Sequence, residues 1–305
     1  MAQLFNKDGK GPEELEALTG QWYASSPYRI IASEIDFAER DLDSRVGSAV
    51  IDLAAGKYAA GETGGIVDAV RLPVACLAVL RHSALASVSH EATGRKVKMD
   101  ENEKMPFEWM IDRDDRAMRE RYYRALDALY AYLNDNAVPE WTSSEIYGTL
   151  RKSIVCTMAD FEAVYPIAGS YYVYYMLQGL VIEAQDAFLQ PMMGDKWSAV
   201  LDGSADASLA ALSRRIVILS ALITAGERWS LEVFPLEIAR RYAPSYQGNR
   251  ASSSATTAEI DWYIKKLESQ RKQATNRLAL MLDSSASGAA ILPENSPRRK
   301  FFTTE

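Results

Sequence analysis

The chain is poor in the residues from which reactive centres and covalent staples are usually built. Its 305 residues include 2 cysteines and 2 histidines. Cys76 and Cys156 each stand inside an apolar or helical run and in no paired motif, which predicts two buried thiols in a reducing compartment and no disulfide framework. His82 and His90 lie on one expected helix, and neither has a partner at the three- or four-residue spacing of a helical metal site. Ser83, Ser89 and Glu91 beside them do not form a triad, because side chains adjacent on a helix point to different faces. The phosphate-cradling loop is missing too. At Gly56-Lys57 the position of its first glycine is held by Ile51, and that of its hydroxyl by Tyr58. There is no Gly-x-Gly-x-x-Gly. Basic charge is scarce, 34 Lys and Arg against 41 Asp and Glu for a net charge of -7. That balance argues against nucleic acid as the main ligand. No metal and no cofactor is expected.

Long apolar runs are lacking as well. Leu72 to Leu80, bounded by Arg71 and Arg81, and Ile216 to Ala225, bounded by Arg215 and Glu227, fall short of the ~20 residues of a membrane span. Met1 to Gly11 carries no apolar signal segment. The expectation is a soluble intracellular protein with no membrane partner. Paired carboxylates such as Asp41 with Asp43, or Glu183 with Asp186, fall on the polar sides of amphipathic helices and read as solvated faces.

What is present is helical periodicity in two copies. Hydrophobic content of 48% can fill a core in each of two medium domains. Between Tyr28 and Gly47 the residues Ile31, Ile35, Ala38, Leu42 and Val46 make one apolar face with a glycine stop. Ile182, Leu189, Met193 and Gly194 follow Ile35, Leu42, Val46 and Gly47 at a constant 147 positions. Each copy leads through a short helix and a Gly/Ser/Asp loop into a long apolar helix. The predicted fold is mainly α, a tandem pair of helical-bundle units with a small β-hairpin or flap, a long C-terminal helix and an extended tail. The segments are an N-terminal arm with a short helix opened by Pro12 (1–25), a first unit with the flap (26–141), a second unit (142–245), and a linker, helix and tail (246–305).

Several local signals fill in this outline. Ser26-Pro27 is an N-cap and first turn for the first long helix. Gly56, Gly61, Gly64 and Gly65 read as a flexible connection, and Pro73 as a kink or the true start of the next helix. Residues 95–99 and 107–111 alternate as two strands would. Asp112 caps a helix carrying Met118, Tyr122, Ala125, Leu126, Leu129, Tyr130 and Leu133. Thr142 with Glu145 forms a capping box, and Thr256 with Glu259 opens a C-terminal helix of about 28 residues. Two stretches suit partners. Tyr171, Tyr172, Tyr174 and Tyr175 form an aromatic patch that fits either a subunit contact or the edge of a core. Arg298, Arg299, Lys300, Phe301 and Phe302 end the chain in three cations and two aromatics, which suits an acidic partner groove as well as a disordered solubilising tail.

Pro106-Phe107-Glu108-Trp109, the helix after it, Pro139-Glu140-Trp141 with Ser144 and Tyr147, and the doubled helix-glycine units resemble an uncharacterised family encoded by tailed phages and prophages of Bacteroides-type bacteria. The likeness covers roughly residues 12 to 245. In pattern each unit also resembles the helical head-to-tail connector, or adaptor, proteins of tailed phages. That resemblance implies a non-enzymatic virion protein of the neck or tail region, made in the host cytoplasm. It implies self-assembly into a ring, with portal and tail proteins as partners, a C-terminal docking arm, and DNA met only as the genome passing through the channel. The alternatives are an all-helical enzyme or regulator with a site of scattered polar residues, and a host-encoded helical interaction protein.

Overall fold

A computed structural model describes residues 3–86, 89–91, 94–96, 107–228, 240–242, 252–254 and 257–287. The chain is mainly α-helical. It divides into two compact units, one made of Met1–Lys152, Ile167–Met176 and Glu232–Ser254, the other of Ser153–Pro166, Leu177–Leu231 and Ala255–Glu305. These borders fall elsewhere than positions 25, 141 and 245.

The first unit opens with α1 (Gly11–Thr19), started by Pro12 and ended by Gly20 in the left-handed region. Next come α2 (Ala32–Val46) and α3 (Ser48–Ala59), parted by Gly47 at φ 88°, a conformation that disfavours any side chain. Ile31, Ile35, Ala38, Leu42 and Val46 are all buried, as the periodicity predicts. Ser26 is not the cap of α2. Pro27 begins a 3-10 turn, Tyr28–Ile30, and the α-helix starts only at Ala32. Gly56 lies inside α3 and is no part of a loop.

α4 (Gly65–Ala86) runs 22 residues with Pro73 in its interior. Proline lacks one helical N–H, yet the packing of α1, α2 and α3 on α4 holds the helix through it. The apolar run Leu72 to Leu80 lies inside this longer helix. α4 has the length and composition of a membrane-crossing helix, as does the 22-residue helix Ala207–Arg228, at mean hydropathies of 1.4 and 1.6. Charged residues end an apolar run but not a helix, because Arg71 and Arg81 find partners. Arg71 is buried, 3.0 Å from Glu14 Oε2, and its guanidinium lies 4.8 Å over Phe5 and 4.6 Å over Tyr58. Tyr58 donates to Glu14 Oε1 at 2.6 Å and accepts from the Lys7 N–H at 2.7 Å. The N-terminal arm is thereby tied to α3 and α4. Arg81 pairs with Asp41 of α2.

β1 (Ser89–Glu91) and β2 (Gly94–Lys96) pair antiparallel over three residues each. The expected strand at 107–111 is not one: Phe107 is the extended N-cap of α5 (Glu108–Asp135), so Asp112 lies inside the helix, a turn past its start. Residues 97–99 lie outside the described residues. Met118, Tyr122, Ala125, Leu126, Leu129, Tyr130 and Leu133 form the buried stripe of α5, which packs along α4. α6 (Pro139–Thr142) and α7 (Glu145–Leu150) follow. Thr142 ends α6, and Ser144, whose Oγ accepts from the Tyr147 N–H at 3.1 Å, caps α7 in its place.

In the second unit α8 (Met158–Glu162) is opened by a capping box of Thr157 and Asp160. α9 (Tyr171–Ala184), which belongs to the first unit up to Met176 and to the second from Leu177, continues through a π-turn, Gln185–Leu189, into α10 (Gln190–Met193), ended by Gly194 at φ 53°. Its positions matching Ile31 and Ala38 are Gln178 and Gln185, both buried. Gln178 donates to the Val155 carbonyl at 3.4 Å, and Gln185 accepts from the Ile154 N–H at 2.9 Å. After α11 (Trp197–Leu201) comes α12 (Ala207–Arg228), apolar and buried along Ile216–Ile223. β3 (Arg240–Tyr242) pairs antiparallel with β4 (Ser252–Ser254), both of them counted with the first unit, and in the second unit α13 (Thr257–Ser287) packs back along α12. In chain order, a 22-residue helix, two short strands and a long helix therefore occur twice. Glu183 and Arg228 form a two-pronged pair at 2.7 and 2.8 Å. The expected acidic faces at Asp41 and Glu183 thus hold partners.

Glu39 is the one buried acid of the α2 face, 8% exposed. Burial, and then repulsion from Asp36, raises its pKa from 4.5 to about 7. The folded chain then holds a proton that the unfolded chain has released between those values, so its contribution to stability falls as pH rises from 4.5 through about 7. Glu39→Gln is expected to stabilise the protein by about 1–3 kcal/mol at pH 8 and by almost nothing at pH 4. Urea midpoints at the two pH values check this, and equal gains at both would contradict it.

Candidate functional site

The four tyrosines singled out in the sequence sit at the start of α9, in the first unit. Their position is set by a helix cap assembled from two elements. Ser170 Oγ accepts from the Val173 N–H at 3.2 Å. Asp127, on α5, receives the Ser170 hydroxyl at 3.0 Å and the Tyr172 N–H at 2.8 Å on one carboxylate oxygen. A negative group at a helix N-terminus satisfies donors that have no partner within the helix. Burial pushes the Asp127 pKa up, and the hydrogen bonds from Tyr172 and Ser170 resist that shift.

Around this cap the rings close into a cluster. Tyr172 lies 4.8 Å from Tyr123, and the Arg45 guanidinium lies 5.3 Å over the Tyr172 ring. Tyr175 contacts Tyr130 at 4.6 Å, Tyr174 at 5.1 Å and Trp141 at 5.7 Å. Trp141, of the Pro-Glu-Trp element, is 0% exposed. Its indole N–H donates to Asn134 Oδ1 at 3.1 Å, and Asn134 Nδ2 serves both the Tyr130 carbonyl and the Tyr175 hydroxyl. Tyr172 and Tyr174 are buried, whereas Tyr171 and Tyr175 are half-buried. Of the two readings of this patch, the core edge describes Tyr172 and Tyr174. Only Tyr171 and the rim of Tyr175 have surface left for a partner.

These phenols are held neutral. Burial raises Tyr172 and Tyr175 to about 12 and Tyr130 further still. A tyrosine so shifted donates hydrogen bonds and packs; it does not supply a phenolate near neutral pH. Residues 51–150 match the model of a family of unknown function, DUF6712. The match spans α3 to α7 and so takes in Asn134, Trp141 and the start of α5, but stops short of the α9 tyrosines. No curated protein and no solved structure matches the chain.

The Phe-Glu-Trp element has the opposite environment to Pro-Glu-Trp. Phe107 is 67% exposed, and Trp109, Met110 and Ile111 are exposed with it. Leu85, one residue before the end of α4, is exposed too. Large apolar side chains left in water make this helix start a candidate contact surface.

The remaining candidates carry less. His82 packs edge-on against Trp22 at 5.1 Å, and the Ser83 hydroxyl donates to the Val79 carbonyl of its own helix at 2.9 Å. The side chain of His90 and the tail residues Arg298, Arg299, Lys300, Phe301 and Phe302 lie outside the described residues. Among the described residues no group of three or more His, Cys, Asp and Glu side chains could hold a metal ion. Sequence reasoning missed Asp127 and Asn134. Neither belongs to a motif, and the only signal was a polar residue beside an apolar stripe.

Removing the Asp127 carboxylate leaves the Tyr172 N–H and Ser170 hydroxyl without their acceptor. Asp127→Ala is expected to lower stability by about 1–2 kcal/mol, read as a lower urea midpoint with unchanged slope. An unshifted midpoint would show that the cap is dispensable.

Proposed function

We propose that this chain is a structural protein of a tailed-phage virion, a head-tail adaptor of the neck that assembles into a closed ring between portal and tail. The observation that carries the proposal is an element order met twice along the chain, a 22-residue helix, two short strands and a long helix, together with the large apolar side chains left exposed at the start of α5. A chain with such a repeated order and an exposed apolar helix start is suited to holding neighbours. Contacts of that head-to-tail kind close into a ring when the rotation between copies divides a full turn.

Two further features support the same reading. The net charge of -7 suits a conduit, because like charge keeps a passing genome from adhering to the wall. The chain continues for 18 residues beyond Ser287, the last residue of α13. That length can extend about 60 Å and carries three cations and two phenylalanines to a docking groove on the portal or a tail component. The likeness to connector proteins is one of pattern, and fold alone does not determine function.

Mass and binding measurements test the proposal. Native mass spectrometry should find a single closed multiple of the 33.9 kDa chain, alone or with its portal partner; a species that stays monomeric in both conditions contradicts the adaptor reading. Deleting residues 284–305 should abolish partner binding and leave the helical circular dichroism signal in place. Undiminished binding would remove the docking arm from the account.

A further inference from the structure

The exposed start of α5 and the outward face of α13 are complementary in chemistry. Gly65, at the start of α4, lies so close to Tyr132, near the end of α5, that a Cβ there would meet its hydroxyl at 3.2 Å. α4 and α5 therefore run antiparallel, and Leu85 stands at the same end of the pair as Phe107, Trp109, Met110 and Ile111. That end is apolar and exposed. The next four residues, 112–115, hold three aspartates against one arginine, and Asp112 and Asp114 are exposed.

α13 buries Leu267, Ala274 and Leu278 on one side. At 100° per residue, Trp262, Lys265, Lys272 and Leu280 fall on the opposite side, and all four are exposed. Trp262 is 63% exposed and stacks under Lys266, whose Nζ is 4.9 Å from the ring centre. Residues 262–277 carry five cations against one glutamate. The surface is thus a basic strip about 27 Å long, from Trp262 to Leu280, with an apolar residue at each end.

We infer that the start of α5 in one copy docks on the outward face of α13 in a second copy of this chain. Phe107, Trp109, Met110 and Ile111 cover Trp262, and Asp112 and Asp114, on either side of the α5 start, bring negative charge towards Lys265 and Lys272. A second copy is the occupant because each surface supplies what the other lacks, acid for base and apolar for apolar. Two such surfaces on one chain pair either reciprocally in a two-fold dimer or head to tail from copy to copy, and the ring reading selects the second. It rests on the ring reading above and names the surface through which the ring closes.

Sedimentation velocity on the full-length chain tests the contact. Asp112→Lys with Asp114→Lys, and separately Lys265→Glu with Lys272→Glu, should each weaken self-association about ten-fold or more, with unchanged circular dichroism. The chain carrying all four changes should recover assembly to within about three-fold, because the reversed charges again oppose one another. Double variants that assemble like wild type, or a fourfold variant that stays dissociated, overturn the contact. Should a double variant unfold, Asp114→Lys and Lys272→Glu as single changes make the same comparison. A wild-type chain that self-associates neither alone nor with its portal partner overturns the ring reading along with this contact. Self-association indifferent to all the charge changes overturns this contact alone.

Discussion

An apolar helix of 22 residues has to be covered on nearly every side, and this requirement shapes both units. α4 buries residues along its whole first two-thirds, and α1, α2, α3 and α5 supply its cover. α12 is buried continuously from Ile216 to Ile223 and is covered along its length by α13. At about 25 cal/mol per Å² of apolar surface, contacts of this extent are the main favourable contribution in each unit. They also explain how Pro73 persists inside a helix, since the stabilisation by surrounding side chains exceeds the ~3 kcal/mol that an interior proline costs. The exception is Arg71, a charge placed where apolar side chains belong. It is tolerated because Glu14 neutralises it and Phe5 and Tyr58 sandwich it. The same contacts fasten residues 5–7 to the unit, so the charge positions the arm.

The second organising device is polar. Asp127 and Asn134 sit on α5 one above the other, seven residues apart, and reach across to the tyrosines of α9 and to Trp141. Apolar burial alone would hold the helices together in several registers. Directional bonds from two α5 side chains to a helix start and an indole N–H select one. Gln178 and Gln185 act likewise in the second unit, tying α9 to the backbone at residues 154 and 155.

Stripes and glycine stops were legible because they follow from helix geometry alone. The faces of α2 and α5, the stop at Gly47 and the stop at Gly194 all stand where periodicity places them. Boundaries were less so. Phe107 to Ile111 alternates over too few residues to separate a strand from a helix turn, and the helix prevails because it continues an unbroken α5. Thr142 and Ser144 are both competent caps, and the end of α6 at Thr142 decides for Ser144. The buried glutamines were invisible to any search for apolar periodicity, since they occupy core positions with polar side chains. The tyrosines showed their amphipathic character in the sequence, but the partition between buried Tyr172 and Tyr174 and half-exposed Tyr171 depends on α5 crossing above them.

The contrast between the two Trp elements is the most informative feature for function. Pro-Glu-Trp is consumed by the fold, with Trp141 sealed beneath Tyr130 and Tyr175. Phe107 and Trp109 of Phe-Glu-Trp are left exposed at the end of a helix pair. Exposed side chains of this size are costly to solubility, and the adaptor reading proposed above gives them a use in a larger assembly. An image of the purified assembly by electron cryomicroscopy tests that assignment most directly. The account predicts a closed ring in which every Trp109 is buried against the adjacent copy; discrete single chains, or a ring with Trp109 facing solvent, would contradict it.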